Sequence, residues 1–402
     1  MIKRETYLKK IRPFYEQDIV KVISGIRRCG KSVILKQIID DISNNRENHG
    51  KMIYINFELI EYSFIRDFYD LYQYIESLMD DNVKNYVFID EIQYVSQWEK
   101  TINSLKAKYG DRISIFITGS NSNLLSGELA TLLSGRYVSF QIYPLSFSES
   151  ILIDEYKKNR NDEELFLEYM KWGGLPQRFY LLDEDSIRSY LRDVYNSIMV
   201  KDVITRFKIT DLDLFNRIVE YISTTPSQTF SPESLSSYLI NKCGKKVSTG
   251  TIYNYLEYMR QAFFIQKADR YDVRGKRILN GKYKYYLTDL GLGQILNSSK
   301  KEQIGAYLEN VVYNELLYRG YDVKIGSFSN REIDFVAKKG SIKEYYQVTY
   351  YLIDDNVIDR EFGAYKNIPD NYPKFVLSMD KFDMSRDGII HRNIIDWLNE
   401  KQ

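Results

Sequence analysis

The sequence predicts an α/β protein whose N-terminal part is built on a mostly parallel sheet. Two observations carry that prediction. Over residues 1–145, short and nearly continuous apolar runs alternate with helical patterns, as buried parallel strands joined by helices should. The first run, residues 19–23, leads through Gly25-Ile26-Arg27-Arg28-Cys29-Gly30-Lys31-Ser32 into a helix-like stretch at 33–39. That is a complete G-x-x-x-x-G-K-[ST] phosphate-binding loop in the strand–loop–helix setting it requires.

In chain order, strands are expected at 18–24, 51–57, 86–89, 113–118 and 137–143, each rich in Val, Ile, Phe or Tyr. Helices are expected between them, at 68–79 and 98–107. From about 146 to 223 the strand signal disappears and the text becomes helical and charged, as at 162–170 and 186–203. Thr224-Thr225-Pro226-Ser227-Gln228 reads as a linker. Residues 231–300 then read helix, turn, helix, β-hairpin. Residues 301–402 return to mixed text, with a helix at 304–317 and strands near 321–325, 333–337, 344–348 and 374–377. The expected division is therefore 1–145, 146–223, 224–300 and 301–402, and 402 residues suffice for each part to bury a core.

Composition narrows the function classes. Lys and Arg total 56 against 55 Asp and Glu, so the net charge of +1 gives no whole-molecule attraction to nucleic acid, and any such contact must be local. Two cysteines, Cys29 and Cys243, give neither a disulfide framework nor a zinc site. With His49 and His391 as the only histidines, neither a His-rich metal site nor a His-based triad is expected. No run approaches the ~20 apolar residues of a membrane span, and the N-terminus lacks a signal-peptide core. The expectation is a cytoplasmic protein without a membrane partner.

The loop assigns ATP and Mg²⁺ as ligands. Gly25, Ile26, Arg27, Arg28, Cys29, Gly30, Lys31, Ser32 and Val33 form the nucleotide-contacting run, with backbone N–H groups and a helix N-terminus facing phosphate. Lys31 would reach the β/γ-phosphates and the Ser32 hydroxyl would bind Mg²⁺. About 60 residues on, an apolar strand ends in Asp90-Glu91. Asp90 can hold Mg²⁺ through its water shell, and Glu91 can take a proton from attacking water. The next strand runs into Ser120 and Asn121, which either orient that water or form an ordinary Asx or Ser turn. Arg136 opens the following strand. It either stabilises transition-state charge, in cis or from a neighbouring subunit of a homo-oligomer, or is a surface arginine.

These segments, with Tyr143-Pro144-Leu145-Ser146-Phe147-Ser148-Glu149, resemble a widespread prokaryotic group of AAA-type P-loop ATPases whose C-terminal half is a domain of unknown function. Later echoes are Trp172-Gly173-Gly174-Leu175-Pro176, the run from Lys282 to Asp289, and Glu332-Ile333-Asp334-Phe335. The resemblance spans almost the whole chain. It implies a P-loop NTPase parallel sheet with a helical lid, followed by a winged helix-turn-helix.

The helix–turn–helix–hairpin order also reads as a winged helix by itself. Eleven basic residues fall between Lys242 and Lys284, opposed by Glu257, Asp269 and Asp272. The hairpin tip Arg274-Gly275-Lys276-Arg277 suits phosphate contact, and Ser248, Thr249, Thr251, Tyr253 and Asn254 would face a major groove. Double-stranded DNA is the candidate partner; a protein-docking role for the same element is the alternative. Glu309, Asp334 and Gln347-Val348-Thr349 resemble a small restriction-endonuclease-like α/β domain, whose pattern is Glu, Asp, then Glu/Gln-x-Lys. Glu309 and Asp334 are candidate ligands of a second metal. Thr349 occupies the lysine position and cannot favour hydroxide electrostatically, so a binding relic is expected over a working nuclease. The composite expectation is an Mg-dependent ATPase controlling a DNA-binding, nuclease-like module. An ATP-regulated nuclease effector and a non-hydrolysing nucleotide scaffold are the alternatives.

Overall fold

The computed structural model describes residues 2–44, 50–120, 133, 135–158, 160–181, 183–224, 226–244, 247–296, 304–328, 331–368 and 370–400. They form two compact units, one of residues 1–142 with 261–263, the other of 143–260 with 264–402.

The first unit is a five-stranded, fully parallel sheet: β1 (Val20–Ser24), β2 (Lys51–Asn56), β3 (Asn85–Asp90), β4 (Ile113–Gly119) and β5 (Tyr137–Gln141). The order is β2-β3-β4-β1-β5. All residues of β1, β3 and β4 are buried, which explains their unbroken apolar text. Helices α1 (Glu5–Ile11), α2 (Lys31–Ser43), α3 (Phe68–Leu78) and α4 (Trp98–Tyr109) accompany them. Asp67 starts α3, its carboxylate accepting from the Tyr69 and Asp70 N–H groups at 2.8 and 3.1 Å. Leu71 and Ile75, one turn apart, then enter a core with Ile53, Val87, Ile102 and Ile115. Fully burying one such side chain contributes ~1.5–3 kcal/mol, so this stripe, rather than helix propensity, fixes α3.

The strand order decides where chemistry can occur. β4 lies between β1 and β3, with Ser24 beside Gly119 and Ile89 beside Ile117. The C-terminal ends of β1, β4 and β3 therefore lie side by side.

The second unit begins with helices, among them Asp162–Trp172, capped by an Asn161/Glu164 capping box, and Glu184–Ser197, which continues as a π-helix over Ile198–Ile204. Helices Pro232–Cys243 and Thr249–Gln261 precede a hairpin of β7 (Ile265–Asp272) and β8 (Arg277–Leu287), with the short β6 (Thr229–Phe230) on the edge. The chain goes on through helix Ile304–Tyr318, strands β9 (Asp322–Phe328), β10 (Arg331–Lys339) and β11 (Ile342–Val348), and helix Asp355–Gly363. Strands β12 (Lys374–Ser378) and β13 (Ile390–Asn393) and helix Ile394–Asn399 complete it.

These strands make one eight-stranded sheet, β13-β12-β11-β10-β9-β7-β8-β6. The join is parallel, with Arg270 beside Ile325 and Asp272 beside Ser327. The hairpin and the last hundred residues thus share a sheet that composition gave no reason to expect, because β8 and the helices Leu290–Gln294 and Ile304–Tyr318 lie between β7 and β9 in sequence.

Candidate functional site

The phosphate loop follows β1 directly. Gly25 has φ +151°, and a Cβ there would sit 2.2 Å from the Ile142 carbonyl oxygen, so only glycine fits between the loop and the end of β5. Ile26 and Cys29 point inward and are fully buried. The Cys29 thiol donates to Ile142 O at 3.3 Å, and burial raises its pKa. Both side chains anchor the loop and leave only backbone N–H groups for a ligand. Arg28 is exposed at φ +68°, while Arg27, Ser32 and Val33 are half-buried. Lys31 opens α2 and is buried. Its ammonium donates to Gly25 O at 3.2 Å and lies 3.6 Å from Glu91 Oε1.

Asp90 ends β3, fully buried. One carboxylate oxygen accepts from the Thr118 hydroxyl and the other from the Tyr54 hydroxyl at 3.2 Å. The next residue, Glu91, is left-handed at φ +58°, ψ +49°, a conformation that costs a non-glycine residue roughly 1–3 kcal/mol and needs support. The support is Thr118: its Oγ1 accepts the Glu91 N–H at 2.9 Å while donating to Asp90. Gln93 donates to Glu91 Oε2 and to Ser120 Oγ, the latter at 3.4 Å.

The structure thus brings Lys31, Asp90, Glu91 and Ser120 to adjacent strand ends, with Ser120 beside the carboxylates as the strand order requires. Asn121 lies outside the described residues. Thr118, Tyr54 and Gln93 were missed as site residues; the available signal for Thr118 was a hydroxyl directly after the apolar run Ile115–Ile117. A carboxylate held by two hydroxyls, next to a lysine and a helix start carrying Ser32, is a donor set that suits a hydrated magnesium ion.

Arg136 is not with them. It precedes β5, whose Tyr137 pairs with Val20 at the start of β1, and the Arg136 carbonyl accepts the Val20 N–H at 3.0 Å. The phosphate loop leaves the opposite end of β1, four residues or about 13 Å along the strand. The exposed Arg136 side chain starts from the opposite end of the strands to its own phosphate loop.

In the second unit, the hairpin tip is exposed at Arg274, Lys276 and Arg277, as are Ser248, Thr249, Tyr253 and Asn254, with Thr251 half-buried. Other members of the expected basic surface are engaged. Arg260 pairs with Glu257, Arg270 with Glu332 and Lys267 with Asp269. Lys284 is buried, its ammonium 3.0 Å from Glu309 Oε1 and 2.7 Å from Glu332 Oε1. It is not a phosphate-facing residue, because β8 turns it toward the helix Ile304–Tyr318. Lys245 and Lys246 lie outside the described residues.

Two further motifs meet. The Asp289 carboxylate accepts the Gly174 N–H at 2.7 Å and the Gly291 N–H at 2.9 Å. Gly173, at φ +70°, brings its Cα so near that a Cβ would sit 2.1 Å from Asp289 Oδ1. Burial pushes the Asp289 pKa up to about 6 against the backbone donors and Arg178. Arg178 is itself buried, donating to Gly173 O and to Glu168.

Comparison with known proteins fits this anatomy. Residues 17–151 match a family described as an AAA domain, and 163–303 a domain of unknown function, DUF8612. The chain is 37% identical over 401 residues to an "Uncharacterized protein" of Haemophilus influenzae, covering 99% of this chain and 98% of that one. The chain belongs to that protein's family. This family also reaches "Uncharacterized protein MJ1544" of Methanocaldococcus jannaschii, 33% identical over 362 residues, covering 86% of this chain and 78% of that protein. The family's N-terminal part is a nucleotide-binding AAA-type P-loop domain. Among solved structures, the Aeropyrum pernix ORC2 protein in its ADP form aligns with TM-score 0.39 and 12% identity, over 71% of this chain and 87% of that one. The ORC1 protein of the same organism in complex with DNA gives 0.31 and 12%, over 74% and 92%. Among the described residues no helix is long and apolar enough to cross a membrane.

Proposed function

We propose that this family member is an Mg-dependent ATPase whose nucleotide state controls a DNA-facing C-terminal module. The observation that carries the hydrolytic half is the convergence of Lys31, Asp90 and Glu91 at adjacent strand ends, with Thr118 bonded to both acidic residues. In this reading the loop N–H groups and Lys31 bind the phosphates. Ser32 and Asp90 would hold magnesium, which would supply positive charge to the phosphates. Glu91 accepts the proton of the attacking water, oriented by Ser120 and Asn121. Lys31 is shared between the loop carbonyls and Glu91, so a γ-phosphate that draws Lys31 away also frees the base. Arg136 acts on the site of a second copy, in a homo-oligomer.

The downstream order of helix, turn, helix and hairpin supports a winged helix with the wing tip Arg274–Arg277 against phosphate and the Thr249–Gln261 helix in the groove. Helix, three antiparallel strands, helix and parallel strand over 304–378 support a restriction-endonuclease-like fold. Thr349 keeps the nuclease reading second.

The deciding experiment is Glu91→Gln. ATP binding should persist while hydrolysis falls by ~10²–10⁴-fold, the span of general-base catalysis. A wild-type protein with no turnover, with or without DNA, would replace the switch reading by a nucleotide-binding scaffold.

A further inference from the structure

The carboxylates that the endonuclease-like pattern offers to a metal are already committed. Glu309 Oε1 accepts from Lys284 at 3.0 Å and from the Tyr286 hydroxyl at 2.7 Å. Asp334 Oδ2 accepts the Val348 N–H at 2.8 Å. Gln347, at the third position of the pattern, accepts the Asp334 N–H at 2.9 Å and donates to Glu361 Oε2 at 3.0 Å. Among the described residues, no three His, Cys, Asp or Glu side chains are grouped so as to hold a metal ion. The residues present do not fit a second metal.

What lies there instead is a lysine from another element. Glu309, Glu332, Asp334 and Glu361 gather four carboxyl groups; burial raises the pKa of Glu309, and burial with the nearby Glu309 raises that of Asp334 well above the usual range, while Arg270 and Arg360 take up Glu332 and Glu361 from the rim. Lys284, only 5% exposed, puts its ammonium between Glu309 and Glu332. Burial alone would drive such a group to lose its proton, but Glu309, Asp334 and Glu332 outweigh burial and hold it cationic. Leaving these acids without a cation would strand buried charge, which costs far more than a pair of such groups gains.

We propose that the Lys284 ammonium is the resident cation of this cluster, taking the electrostatic place of a divalent ion so that the C-terminal domain folds without one. The assignment is independent of the nucleotide reading. It also gives the hairpin a second function: β8 delivers the charge that its neighbour's carboxylates require.

The test uses the full chain without nucleotide. Mn²⁺ is titrated by loss of the free-ion electron paramagnetic resonance signal, and Tm is read with and without millimolar Mn²⁺. Wild type should bind no Mn²⁺ that Asp334→Asn abolishes, and Asp334→Asn should leave unchanged whatever response its Tm shows to the ion. Lys284→Ala should melt lower and recover about 1–2 °C with Mn²⁺, the shift that ~1 kcal/mol gives at the per-residue unfolding entropy of a chain of 402 residues. The double variant with Glu309→Gln should not recover. Asp334-dependent Mn²⁺ binding by the wild type would overturn the proposal, as would Lys284→Ala that Mn²⁺ does not rescue. If Lys284→Ala does not fold, Lys284→Met keeps the stem and removes the charge, and the wild-type titration decides by itself.

Discussion

Thr118→Val is the sharpest probe of how the first unit holds its acids. Valine keeps the shape and strand propensity of threonine but deletes the hydroxyl. That hydroxyl accepts the Glu91 N–H at 2.9 Å and donates to Asp90, a fully buried carboxylate. Removing the acceptor leaves a buried N–H unpaired, at ~1–3 kcal/mol, and a hydrogen bond to a charged group contributes ~1.5–3 kcal/mol. The two share one atom and cannot simply be added, so a loss of about 2–4 kcal/mol in folding stability is expected. Asp90 retains Tyr54, whereas Glu91 loses the bond that supports its left-handed backbone. Misplacing a catalytic group by about 1 Å costs on the order of 10²-fold. Phosphate release should therefore fall ~10–100-fold while equilibrium ATP binding changes little, since Lys31 and the loop are untouched. Thr118→Ser should restore most of both stability and rate. Stopped turnover assays, nucleotide titration and urea denaturation read the three quantities. A Thr118→Val enzyme with a rate within twofold of wild type would refute the reasoning, and so would loss of ATP binding in step with hydrolysis.

Arg136→Ala and Lys31→Ala, each inactive alone, should recover activity on mixing if Arg136 completes a neighbour's site; inactive mixtures at every ratio would return Arg136 to the surface. Replacing Arg274, Lys276 and Arg277 by alanine should weaken DNA binding and lower the slope of log affinity against log salt by up to about three, as fluorescence anisotropy would show. An unchanged slope would take the wing off the DNA. Asp289 should make stability fall as pH rises. Its folded pKa is about 6 against an ordinary 3.8, so the folded chain keeps a proton that the unfolded chain loses between those values. The contribution is fully present below about pH 4 and gone above about pH 6, a swing of about 3 kcal/mol. Denaturant midpoints across that range should slope less for Asp289→Asn than for wild type; parallel profiles would exclude Asp289 as the source.

The first unit was legible because its signals are local and periodic. All five of its expected strands occur within two residues at either end, since a buried parallel strand must be apolar throughout and a phosphate loop must follow one. The place of Asp90 and Glu91 at the end of β3 was legible for the same reason. Thr118 was not, because its meaning depends on β4 lying between β1 and β3, and strand order is not written in local sequence. The end of the sheet at which Arg136 lies was hidden in the same way: a strand start looks alike whichever end of the sheet carries the ligand. Lys284 was read as wing surface because it sits in a basic run. A lysine beside Tyr283 and Tyr285 has no sequence mark of burial, and only β8 packing near Glu309 reveals it.

The same long-range pairings limit how a nucleotide signal could act on the second unit. A wing that swung independently would have to break the β7–β9 ladder and separate Lys284 from Glu309 and Glu332. Separating the helices around Gly173 from the hairpin would also unpair the buried Asp289 carboxylate from Gly174. Each rupture strands a buried charge or a row of backbone groups, costs that a few kcal/mol of coupling cannot meet. The hairpin, the eight-stranded sheet and the Gly173 helices therefore respond as one body. If the proposed DNA contact at Arg274–Arg277 forms, it would be sensed, through β8, at Lys284 and Asp289 rather than at a flexible hinge beside the hairpin. Hydrogen exchange should show β7, β8 and β9 protected to a similar degree with and without ATP. Selective loss of protection in β7 and β8 alone would mean that the hairpin moves by itself.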